Sequence, residues 1–86
     1  MPIISFFFGI IIRMFYDDHD PPHIHVEYQG KKALFDFRGN IIRGDLQSRT
    51  AVKLIREWVD LRYRELIEDW ELAKQGKEIK KIEPLP

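Results

Sequence analysis

Residues 48–75 read SRTAVKLIREWVDLRYRELIEDWELAKQ, and within this stretch the spacing of the apolar side chains changes from two to about 3.6. Ala51, Leu54, Ile55, Trp58, Val59, Leu66, Ile67, Trp70 and Ala73 recur at helical intervals and form one broad apolar face. Ser48 stands where an N-cap belongs and Gly76 where a helix stops. The pattern predicts a single helix over 48–75, with Trp58 and Trp70 both buried against the rest of the chain. At 1.5 Å per residue such a helix is ~42 Å long, more than a small sheet covers. Part of it is expected to project past the sheet or to meet a partner. The tail, 77–86, carries Ile79, Ile82 and Leu85 at contact spacing, and Pro84 and Pro86 keep it out of a helix.

Upstream the period is two. The apolar run 3–12 is far short of the ~20 residues of a membrane span, lacks the flanks of a signal peptide, and is split by Gly9. It reads as two strands, 3–8 and 10–16. Asp17 to Pro22 has turn chemistry: carboxylates able to bond nearby amides, then two prolines. A third strand follows over 23–28, Gln29-Gly30-Lys31 marks a hairpin, and 32–38 returns as the fourth. Gly39-Asn40 turns into a short fifth strand at 41–43. The expected fold is therefore α+β: a small antiparallel meander of about five strands (1–44) packed on one long C-terminal helix, with an extended tail, in one domain over 1–86.

Eighty-six residues allow one modest core. The composition, 44% hydrophobic and 33% charged, is that of a globular chain. Fourteen basic residues balance fourteen acidic ones, so no global field draws the chain to nucleic acid. No cysteine is present, which excludes disulfides and thiolate ligands and fits a reducing cytoplasm. Any metal must take imidazole, carboxylate or water as donors.

All three histidines lie in the nine residues 18–26, DHDPPHIHV. His23 and His25, at i and i+2 of a strand, share one face. With His19 and a carboxylate such as Asp18 or Asp20 brought in by the turn, they make a ligand set for zinc or another divalent ion. The same His23 and His25 could act as acid and base in phosphodiester cleavage. They could equally bond backbone carbonyls and shape the strand entrance. H-x-H alone does not choose among these, nor does it say whether the chain is an enzyme.

A second feature is the charge order of the helix. Arg49, Lys53 and Arg56 share a face near its start, whereas Glu65, Glu68, Asp69 and Glu71 crowd its later turns, against the preference of the helix dipole. With Arg43 nearby in sequence, the basic start reads as a site for an anion or a partner carboxylate. The alternative is a solvated face with local pairs such as Asp60 with Arg64. Antiparallel pairing of two such helices would set Arg49, Lys53 and Arg56 against Glu65, Glu68 and Asp69, so a homodimer is also expected from this surface.

Taken together, these pieces resemble a small bacterial family catalogued as domain of unknown function 4160. The resemblance rests on Met1-Pro2 with Ile4, Gly9-Ile10-Ile11-Ile12, Met14, Asp18-His19 and Pro21-Pro22-His23-Ile24-His25-Val26. It continues through Glu57-Trp58, Trp70-Glu71-Leu72-Ala73, Gly76 and Lys81-Ile82-Glu83-Pro84-Leu85. It implies a small intracellular protein encoded beside a second small gene, a partner-binding component of a toxin–antitoxin-like module and in some cases its toxin. Small ribonuclease toxins are strongly basic, and this neutral chain departs from them, which weighs against direct RNA binding. Two expectations of different class follow: an interaction module that binds a cognate small protein through helix and tail, or an RNA phosphodiesterase built on the histidines.

Overall fold

Paired turns build the sheet. Phe8 with Gly9, and Gln29 with Gly30, all have positive φ, the pairing whose twist matches that of the flanking strands in a tight hairpin. The computed structural model describes residues 2–16 and 18–86. In it the strands are β1 (Ile3–Phe7), β2 (Ile10–Arg13), β3 (His23–Tyr28), β4 (Lys31–Asp36) and β5 (Ile41–Gly44), each antiparallel to the next in the order β1-β2-β3-β4-β5. Asp17, in the expected turn, and Met1 lie outside the described residues. β4 stops at Asp36 rather than at residue 38. The Asp36 carboxylate accepts the Arg38 and Asn40 amides, both at 2.9 Å, and so draws the chain into the turn before β5.

One sheet face is apolar and covered. Ile4, Ile10, Ile12, Ile24, Val26 and Phe35 point into a core completed by Ala51, Ile55, Trp58, Val59, Leu66, Trp70 and Ala73, all of them buried. The intervening residues, among them Ile11, Arg13, His25 and Glu27, are only partly buried, as the two-residue period requires.

The single long helix is not what forms. The chain makes two, α1 (Arg49–Leu61) and α2 (Tyr63–Lys74), separated at Arg62, whose φ of −107° and ψ of 20° leave the helical region. No proline or glycine lies there; the cause is tertiary. A straight 28-residue helix would run ~42 Å, whereas the break lets Trp58 and Trp70 enter one core. The Arg62 amide still donates to the Trp58 carbonyl, and its own carbonyl accepts from Leu66, so the chain is redirected without losing these bonds. Its guanidinium also donates to the Glu83 carbonyl at 3.2 Å, pinning the break to the tail.

The caps are as the sequence predicts. Ser48 Oγ accepts from the Ala51 amide at 3.1 Å. At the other end Gly76 has φ +69°, its amide donates to Ala73 and that of Lys77 to Leu72, the double bond pattern of a left-handed helix stop.

The tail does not project either. The Ile82 amide donates to the Ile4 carbonyl at 2.7 Å, Ile79 to the Tyr16 hydroxyl at 3.1 Å, and Trp58 Nε1 to the Glu83 carbonyl at 2.9 Å. Ile79 and Ile82 are buried. The apolar faces of both helices and Ile79 and Ile82 of the tail are thus used within the fold. No helix among the described residues is long and apolar enough to cross a membrane.

Asp69 fastens this tail. It is 2% exposed, its Oδ1 accepts the Lys80 amide at 3.0 Å, and its Oδ2 has no partner among the described residues. Burial pushes its carboxyl from 3.8 up to about 6, against the pull of the Lys80 amide and with a further rise from Glu68 and Glu65. Because the folded-state value is the higher one, the stability contributed by this group is complete below 3.8 and is lost as pH rises through about 6. Asp69→Asn is therefore expected to stabilise the protein at neutral pH by ~1–2 kcal/mol, less than the full linkage because the amide adds a buried donor. The gain should shrink as pH falls through the range of the titration. Urea melts of both proteins across that range check this, and an Asn variant weaker than the parent at neutral pH contradicts it.

Candidate metal centre

The entrance of β3 collects the histidines. Strand alternation sends the rings of His23 and His25 to the same side, with centroids 5.2 Å apart. Trp70 of α2 lies against His23 at 5.5 Å and Phe15 against His25 at 4.0 Å, so both imidazoles are held by aromatic neighbours. His23 is 8% exposed, while His25 and Asp18 keep about a quarter of their side-chain surface open.

The hydrogen bonds fix more than position. His23 Nδ1 lies 2.8 Å from the Pro21 carbonyl, which can only accept, so Nδ1 carries the proton in that bond. In a neutral ring Nε2 then presents its lone pair, and it faces Asp18 Oδ2 at 3.2 Å. A lone pair facing a carboxylate is repulsive unless a cation stands between them; a proton or a metal ion supplies it. His25 Nε2 meets the same Oδ2 at 2.9 Å. One carboxylate oxygen and two imidazole nitrogens therefore converge, and the three atoms lie within 4.8 Å of one another. Ligands on a tetrahedral zinc with bonds near 2.05 Å stand ~3.3 Å apart, and the two oxygen–nitrogen separations here, 3.2 and 2.9 Å, lie near that value. The Nδ1 bond to a backbone carbonyl is the support that fixes the tautomer of a ligating histidine.

Of the five residues singled out as ligands, the structure brings together Asp18, His23 and His25. His19 and Asp20 are exposed and lie outside this group. The basic residues are dispersed. Arg49 and Lys53 are exposed on α1, and Arg56 Nε donates to the Gly39 carbonyl at 2.9 Å. Arg43 belongs to the uncovered sheet face, where it pairs across strands with Leu34, which pairs with His25, which pairs with Arg13. This row, Arg13-His25-Leu34-Arg43, was not singled out in the sequence. The signal was there in the facing parity of β2, β3 and β4, but it needs the register of three hairpins to be read.

A concavity of about 630 Å³ opens over this row, lined by Arg13, His25, Glu27, Lys32, Leu34 and Arg43 among others. It adjoins the histidine group through His25.

The family model described as Domain of unknown function (DUF4160) matches residues 9–71, a span that holds Asp18, His23, His25 and the whole row. No curated protein and no solved structure matches the chain.

Proposed function

The chain belongs to the DUF4160 family of domains of unknown function, and we propose that within it Asp18, His23 and His25 form a divalent-metal centre that opens onto the sheet concavity. The observation that carries this reading is a convergence: His23 Nδ1 lies 2.8 Å from the Pro21 carbonyl, which turns Nε2 toward an Asp18 oxygen that also faces a second imidazole. The donor set, two nitrogens and an oxygen, is that of zinc or a similar ion. When bound by three protein ligands, such an ion keeps a further position for water and makes that water more acidic. The chain's own residues hold the site: β3 fixes the two rings, Phe15 and Trp70 restrict their rotation, and the Pro21 carbonyl orients His23.

Cobalt(II), whose visible absorption reports coordination, tests the proposal. Metal-free protein is expected to bind one equivalent and to develop the bands of a four- or five-coordinate site. His25→Ala should lose them while keeping the parent's fold, since His25 is only partly buried. Bands unchanged in His25→Ala contradict the proposal.

A partner-binding role is supported by a separate observation. Phe6 and Phe8, at the β1–β2 corner, are 59% and 62% exposed, more than the other large apolar side chains among the described residues. An aromatic corner of this kind suits contact with a small cognate protein.

A further inference from the structure

Charge is balanced over the whole chain but not over its surfaces. Three cations, Arg13, Lys32 and Arg43, line the sheet concavity against one carboxylate, Glu27. That carboxylate is already committed, since Glu27 Oε1 accepts from Arg13 at 2.8 Å. Lys32 and Arg43 form no ion pair among the described residues. Both are exposed. The neighbouring Leu34 is the apolar member of the row and lies between His25 and Arg43 across the strands. Adjacent strands are ~4.8 Å apart, so His25 and Arg43 stand two spacings, or ~10 Å, from each other.

We propose that this concavity binds a small organic phosphate of mononucleotide size, its phosphate held by Lys32 and Arg43 over Leu34 and directed toward His25. Glu27 stands across the strands from Lys32 but gives its Oε1 to Arg13, so Lys32 and Arg43, with no ion pair among the described residues, match one phosphate group, and a hollow of this volume falls in the range that takes a single small ligand. A long polyanion needs an extended run of cations, and the zero net charge of the chain supplies no general field toward one. In placing the phosphate beside His25 the inference deepens the metal-centre reading and rests on it for that contact alone.

Adenosine 5′-monophosphate is the probe. Calorimetric titration into the protein, with and without zinc, is expected to show binding at a single site that weakens with salt. Arg43→Glu and Lys32→Glu are each expected to weaken that binding by about tenfold or more. Neither touches the Asp18, His23 and His25 ligands, so zinc affinity should stay at the parent's level. Failure to bind the nucleotide at millimolar concentration, or binding indifferent to both charge reversals, overturns the inference. So does a single-stranded oligonucleotide that binds about a hundredfold tighter with a steeper salt dependence, which would make the surface a polynucleotide site. Nucleotide binding that depends on Lys32 and Arg43 in a protein that takes up no zinc would keep this inference and remove the metal centre. Zinc uptake without nucleotide binding would do the reverse.

Discussion

Trp58→Ala is expected to lower the stability of this protein by ~3–5 kcal/mol, the cost of emptying a large aromatic site in a packed core. Trp58 is fully buried, its ring packs on Phe7 with centroids 5.6 Å apart, and its Nε1–H donates to the Glu83 carbonyl at 2.9 Å. One side chain therefore joins α1, the end of β1 and the tail. A domain of this size has only ~5–15 kcal/mol in total, so the loss is a large part of it and should shift the melting temperature by ~15–30 °C. Trp58→Phe keeps most of the apolar volume and removes the indole donor, and should cost much less than the alanine. An alanine variant that melts with the parent would show that the packing described for the helices is wrong.

The second large effect is stabilisation by metal. Zinc that binds the folded chain alone, at a concentration a hundred times its dissociation constant, should add ~2.7 kcal/mol to the unfolding free energy. The increment should vanish in Asp18→Asn, which replaces the one anionic ligand by a neutral amide of the same shape, and in His23→Ala. The two variants differ in what they do without metal. His23 is buried against Trp70 and bonds the Pro21 carbonyl, so its removal should itself destabilise, whereas Asp18→Asn, which keeps an acceptor oxygen for His25 Nε2, should cost less in the metal-free melt. Thermal melts with and without zinc separate the two contributions.

The parts of the fold that local chemistry decides could be read in the sequence. Gly9 and Gly30 placed the first two hairpin turns, Ser48 and Gly76 placed the ends of the helical region, and alternation put His23 and His25 on one face. What could not be read depends on distant partners. Nothing in the residues around Arg62 breaks a helix; the break comes from the one core that Trp58 and Trp70 enter and from Glu83, twenty-one residues on. The apolar spacing of the tail does not say that Ile4 and Tyr16 are the residues it meets. In the site, Asp18 was one of two turn carboxylates with equal claims, and only the folded turn chooses it over Asp20. The bond from His23 to the Pro21 carbonyl, which fixes the tautomer, follows from the turn's backbone and has no signature in residue types.

Diffraction measured on both sides of the zinc absorption edge, from crystals grown with one equivalent of zinc, tests the metal centre most directly. The expected map has one anomalous peak at the start of β3, bonded at ~2.0–2.2 Å to His23 Nε2, His25 Nε2 and an Asp18 oxygen, with His23 Nδ1 still on the Pro21 carbonyl. A map with no peak there, zinc held elsewhere on the surface, and Asp18 hydrogen-bonded directly to both imidazoles would contradict it.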